Sequence, residues 1–227
     1  MSYNFFKLFF LLFSFSLILA CANDDAKNNS KTTAVSRPIV PITVSEVQIG
    51  TQIWMTKNLN VSRYRNGDII PQVTNANQWR ALTTGAWCYY ENNTANGTVY
   101  GKLYNWYAVN DPRGLAPQGW HVPSITEWIT LTTSLGGDSM AGGELKATIL
   151  WNSPNAGATN SSGFTGLPGG YFTGTSFGYL GDFGFWWLAT AYNAQSAYSY
   201  LLNSGFADSS ATNNGKYFGC SVRCLKD

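Results

Sequence analysis

His121 is the only histidine of this 227-residue chain, and that alone removes most catalytic schemes. A Ser-His-Asp or Cys-His mechanism would have to use it. It lies between Trp120 and Val122, immediately ahead of Pro123-Ser124-Ile125-Thr126-Glu127. The expectation is a structural histidine bonded to nearby backbone. A zinc centre needs about four Cys or His ligands at characteristic spacings, and one histidine without a Cys-x-x-Cys pair does not supply them. Oxygen ligands for calcium are available on Asp182, Asp208, Asn203 or loop carbonyls, but no calcium-binding motif frames them, so no cofactor and no metal is expected. The glycine pairs read as turns and not as a phosphate cradle, because none follows a strand and opens a helix.

What remains is an aromatic inventory: nine tryptophans and 15% aromatic residues against 11% charged. Trp54, Trp106, Trp120, Trp128 and Trp186 are expected in the core. The segment between Trp151 and Gly184 carries Trp151, Tyr171, Phe172, Phe177, Tyr179 and Phe183 among Asn152, Asn155, Asn160 and Asp182. Flat apolar faces beside amides and a carboxylate suit stacking on a ligand, so Trp151, Asn152, Tyr171, Phe172, Tyr179 and Asp182 form the expected ligand-binding set.

These residues need a frame. Ser124 is a good N-cap, and Glu127 three positions on completes a capping box, so a helix starts there. Ile125, Trp128, Ile129 and Leu135 give it an apolar face, and Gly136-Gly137 stops it. Val47 to Met55 alternates apolar and polar around Gly50-Thr51, the pattern of a β-hairpin. Trp79–Tyr90 reads as β-like and Glu91–Gly97 as a loop. Leu103, Trp106, Tyr107 and Asn110 mark a short helix that Pro112 limits. Trp151–Ser162 is a polar loop, and Gly163–Tyr171 a strand with a bend. Phe185–Thr190 and Tyr198–Leu202 read as strands, and Lys216–Cys224 closes the sheet. Two helices with antiparallel strands and long irregular loops make one α+β domain.

From Thr43 onward acidic and basic residues are equal in number, which indicates neither nucleic acid nor a polyanion as partner. Residues 1–20 read as a lipoprotein signal peptide: Lys7 supplies the positive region, Leu8–Leu19 the apolar one, and Ile18-Leu19-Ala20-Cys21 a lipobox with lipidation at Cys21. An uncleaved anchor helix or ordinary cleavage after Ala20 is the alternative. Asn23-Asp24-Asp25 resembles the acidic surface-export signal of Bacteroidota lipoproteins. Residues 21–42 then form a flexible tether, and 43–227 the domain. The expected location is the outer membrane, facing outward, with the lipid anchor as membrane partner.

Several ordered motifs carry a resemblance. Ile49-Gly50-x-Gln52-x-Trp54, Gly101-Lys102-Leu103-Tyr104-Asn105-Trp106-Tyr107-Ala108, Gly119-Trp120-His121-Val122-Pro123-x-x-x-Glu127-Trp128, Gly142-Gly143-x-Leu145-Lys146 and the terminal Ser221–Asp227 resemble the Fibrobacter succinogenes major paralogous domain, from about Val47 to Asp227. More remotely, the order of elements is similar to the C-type-lectin-like fold shared with formylglycine-generating enzymes. That second likeness raises a copper-thiolate oxidase using Cys220 and Cys224. Four residues of strand span about 13–14 Å, too far for both sulfurs to reach one metal. Direct bridging of these two is also excluded, since bridged Cα atoms lie within about 7 Å. Three cysteines remain beyond Cys21, and the family pattern implies a Cys88–Cys224 disulfide, with Cys88–Cys220 as alternative. The resulting functional expectation is a non-catalytic module that binds a glycan or protein ligand or mediates adhesion. The alternatives are a structural component of a cell-envelope assembly and an oxidase or hydrolase.

Overall fold

The structure, a computed structural model, describes residues 44–227. The expected signal peptide, Cys21 lipidation site and tether lie outside the described residues. Strands β1 (Glu46–Ile49) and β2 (Gln52–Met55) form the expected hairpin around Gly50, whose φ of 59° suits glycine. They continue into β11 (Leu225–Lys226) and β5 (Trp120–His121), giving a four-stranded sheet in the order β1-β2-β11-β5. This sheet joins the start of the domain to its end. The β5 strand stops at Pro123, and α4 (Ile125–Ser134) begins on Ser124 with both halves of the capping box formed.

Helices α1 (Ala76–Arg80), α2 (Thr94–Tyr100) and α3 (Trp106–Val109) are short, and β3 (Trp87–Cys88) pairs with β4 (Leu103–Tyr104) between them. The β-like reading of Trp79–Tyr90 is thus corrected to a helix followed by a two-residue strand, and the loop reading of Glu91–Gly97 to a helix capped by Asn93. Helix α5 (Asp138–Leu145) has no sequence signature, because two of its eight residues are glycines. Tertiary packing demands them: a Cβ at Gly142 would strike the Asp208 carbonyl, and one at Gly143 the Gly157 carbonyl.

The five-stranded sheet runs β10-β9-β8-β6-β7, built from β6 (Gly169–Phe172), β7 (Phe177–Leu180), β8 (Phe183–Ala191), β9 (Ser196–Asn203) and β10 (Ser209–Gly215). All pairings are antiparallel except β6 with β8. The architecture is a mixed α+β domain. Its largest core clusters lie around Trp187, Tyr104 and Val222, and around Trp54, Trp128, Phe164 and Trp186. A smaller one surrounds Trp79. All five tryptophans expected inside are buried. Among the described residues no helix is long and apolar enough to cross a membrane.

The disulfide expectation is overturned. Cys88, Cys220 and Cys224 are free thiols. Cys88 packs into the Trp79 cluster, while Cys220 and Cys224 point with Val222 into the Trp187 cluster, so different core regions hold the proposed partners apart. Burial pushes all three thiols up, Cys224 to about 12, which disfavours the thiolate that copper ligation needs.

Candidate functional site: an aromatic face and its loop crown

The array begins on β6. Tyr171 and Phe172 project to opposite faces of the sheet, as neighbours in a strand must. Phe172 goes inward onto Trp79, with ring centroids 5.3 Å apart, and is 3% exposed. Tyr171 goes to the other face, where it meets Phe185 edge-on at 4.9 Å and stacks on Phe218 at 5.8 Å. Phe183 lies 5.9 Å from Phe185. Beyond Phe218, Tyr217 continues the array at 5.1 Å, and the Arg80 guanidinium lies 5.3 Å from its ring centre.

Tyr179 completes this face by breaking strand periodicity. Phe177, two residues earlier, stacks inward on Phe172 at 4.3 Å, and regular alternation would send Tyr179 the same way. Its φ is +64°, and opposite it Gly170 has φ of +61°. The paired left-handed residues turn Tyr179 over, onto Tyr171 at 5.4 Å and Phe183 at 4.9 Å. Its side chain is left 53% exposed. A left-handed conformation costs a bulky residue roughly 1–2 kcal/mol.

Behind Tyr179 the loops are tied into a crown. The Asp182 N–H donates to the Tyr179 carbonyl, closing a turn. Asn152 donates its backbone N–H to the Gly181 carbonyl and its side-chain amide to Asp182 Oδ1, at 2.8 and 2.9 Å. Ser204 N–H donates to the Asp182 carbonyl, and Ala156 N–H to the Ser204 carbonyl. At the centre is Lys146, fully buried, whose ammonium donates to the carbonyls of Ala156 (2.8 Å), Asn203 (2.9 Å) and Phe206 (2.6 Å). Burial pulls its pKa down to about 8, against a smaller opposing effect of Asp208. One cation thus gathers two loops by three main-chain oxygens. The Asn203 side-chain oxygen, considered above as a calcium ligand, accepts from the Gly205 N–H at 2.8 Å. No cluster of three or more metal-binding side chains occurs among the described residues.

The expected binding residues therefore divide. Tyr171 and Tyr179 lie on one ring array, of which Tyr179 is exposed and Tyr171 half-buried, and Asn152 and Asp182 bond to each other in the adjoining crown. Trp151 and Phe172 do not join them. Trp151 is 9% exposed, donates its indole N–H to the Gly166 carbonyl at 3.0 Å and packs in the core, so it offers no face for stacking. Phe218, Tyr217 and Phe185 belong to the array but were not singled out by sequence. The only sequence signal for the first two is their position within the Lys216–Cys224 closing segment, and for Phe185 the spacing of two from Phe183.

Buried cations recur elsewhere in the domain. Arg223 is completely buried, with the Asn58 side-chain oxygen, the Met55 carbonyl and the Phe164 carbonyl around its guanidinium and the Phe164 ring 4.3 Å away. Lys102 bonds the carbonyl and side-chain oxygens of Asn60 and sits 4.2 Å from the Trp87 ring centre. Among the described residues neither has a carboxylate partner within ion-pair distance. His121 differs from the expectation above. Its ring bonds the carboxylates of Glu127 and Asp227, not backbone.

The chain belongs to the Fibrobacter succinogenes major domain family, whose model matches residues 47–226. Comparison with curated proteins and with solved structures returned no match. Lys102, Lys146 and Arg223 all stand in the motifs by which the chain resembles this family. Their role here is to anchor loops and strands through neutral oxygens.

Proposed function

We propose that this protein is a surface-exposed outer-membrane lipoprotein, anchored through Cys21, whose domain is C-type-lectin-like and binds a glycan or protein ligand without chemistry of its own. The observation that supports this reading is Tyr179, a bulky residue in a left-handed backbone that brings its ring to an exposed aromatic face. Strain of this kind persists where surrounding structure enforces it, and it concentrates at binding sites. Tyr171, Tyr179, Phe183 and Phe218 supply the stacking surface. Asn152 and Asp182 fix the turn that carries Tyr179, so their contribution runs mainly through its position.

Screening the full chain on immobilised glycans and against cell-surface proteins identifies a ligand. Tyr179→Ala and Tyr171→Ala should each then weaken binding at least about fivefold, the equivalent of ~1 kcal/mol for one anchor. Trp151→Ala should instead lower the melting temperature through the core cavity it opens. Unchanged affinity in both tyrosine variants, with unchanged melting, moves the site elsewhere.

A further inference from the structure

In the four-stranded sheet, both ring nitrogens of His121 face carboxylate oxygens. Nδ1 lies 2.8 Å from Asp227 Oδ1, and Nε2 lies 3.0 Å from Glu127 Oε1. An ionised carboxylate only accepts, and a neutral imidazole carries a single N–H. A neutral ring would therefore satisfy one carboxylate and turn a lone pair on the other. Both contacts hold together only around the imidazolium.

The two carboxylates are not equally fixed. Glu127 Oε2 accepts from both the backbone N–H and the hydroxyl of Ser124, so its position belongs to the capped first turn of α4. Asp227 follows β11, and its side chain is 52% exposed. We propose that His121 is a proton-operated latch that fastens the Asp227 carboxylate, at the end of β11, to the first turn of α4 and lets it go when the ring loses its proton. The Asp227 side chain is the part that releases, because the Ser124 bonds keep Glu127 in place without the histidine, and the strand end then rests on β11–β5 pairing and the Asp227 N–H donated to the Gly119 carbonyl.

Among the described residues the surroundings offer no substitute for the lost proton. Lys226, on the same strand, is engaged by Glu46 of β1 at 2.9 Å. Arg65 donates to the Trp120 and Ala116 carbonyls behind β5. From β2 come Gln52, which donates to the Glu127 main-chain oxygen, and Ile53, and from the hairpin turn Thr51, all uncharged. Together with His121, Glu127, Leu225, Lys226 and Asp227, these three line a cleft of about 390 Å³. The latch therefore crosses a cleft whose walls are the helix start and the terminal strand.

Partial burial lowers the His121 pKa, but the bonds from Asp227 and Glu127 outweigh it and the net shift is upward. A group whose folded pKa is raised stabilises fully below its unfolded value, about 6.5, and loses that contribution as pH rises through the folded value. On the acid side the limit is Glu127. Partial burial raises its pKa, but the bonds from Ser124 and His121 outweigh this and the net shift is downward, so its contribution is lost as pH falls through the carboxylate range. The latch is closed at mildly acidic pH and opens as pH rises through the folded His121 value, which lies above about 6.5.

Because His121 is the sole histidine, its ring nitrogens give unambiguous NMR signals in the full chain. Both nitrogens should be protonated at about pH 6, with a titration midpoint above about 6.5, and Asp227→Asn should lower that midpoint. Exchange of the Leu225–Asp227 amides, corrected for intrinsic rate, should speed up roughly threefold or more across the transition in wild type and stay flat in His121→Gln. Glu127→Gln perturbs the helix cap as well, so Asp227→Asn is the deciding variant. A midpoint at or below that of a free histidine, or the same exchange profile in His121→Gln as in wild type, overturns the latch.

Discussion

The Lys146 crown and the His121 junction each use one cation to join distant segments, and they do so by opposite means. Lys146 is fully buried and bonds only to neutral carbonyls, so its charge is balanced by dipoles that cannot titrate. His121 is about one-third exposed and sits between two ionised carboxylates, each of which can be protonated or hydrated. Burial of the ammonium makes the first interaction hard to replace, since removing it leaves three main-chain oxygens without the single donor that joins them. Exposure makes the second replaceable, because solvent satisfies whatever the ring releases. The chain places the permanent fastening in the crown that adjoins its candidate binding face and the adjustable one at the other sheet.

The most damaging test of that contrast is Lys146→Met. It keeps the aliphatic stem and removes the three donated hydrogen bonds, with an expected loss of about 3–5 kcal/mol. Denaturant titration reads this directly, and a loss below ~1 kcal/mol would mean that the carbonyls find water and that the crown is no better sealed than the His121 junction.

A sharper comparison concerns Tyr179, which the crown holds in its left-handed backbone. In a regular strand alanine is more stabilising than glycine. Here Tyr179→Gly should exceed Tyr179→Ala in stability by about 1 kcal/mol, because both lose the ring but only glycine escapes the strain. Alanine equal to or better than glycine in thermal melts would remove the strain argument from the proposed binding face.

The smallest effect separates the two cations by salt. His121→Gln should cost less than about 1 kcal/mol near pH 6, and roughly 1 M salt should remove most of that difference, since screening then acts within about 3 Å. The cost of Lys146→Met should not change with salt, because no solvent-accessible charge pair is involved. Equal salt sensitivity of the two would break the distinction.

What was legible in the sequence was whatever depends on near neighbours. The Ser124–Glu127 capping box, the hairpin around Gly50, and the apolar runs that became β8 and β9 each follow from spacing within a few residues. The segment that carries the ring face was also within reach, since Tyr171, Tyr179 and Phe183 fall between Trp151 and Gly184. The family motifs located Lys146 and Arg223 without giving them a role. A basic residue in a motif reads as a surface charge until its surroundings are known.

The tertiary structure decided the rest. Helix α5 carries Gly142 and Gly143 because neighbouring backbone packs where a Cβ would stand, although its own composition opposes a helix. Trp151 and Phe172 went to the core and Tyr171 to the opposite, half-buried sheet face because sheet faces are assigned by pairing, and Tyr179 joined Tyr171 only through the left-handed pair it forms with Gly170. The cysteines stayed apart because β3 and the closing segment feed different core clusters. In each case the sequence supplied the side chains, and contacts between residues dozens of positions apart determined which of them meet, since burial and pairing act on distance in space and not along the chain.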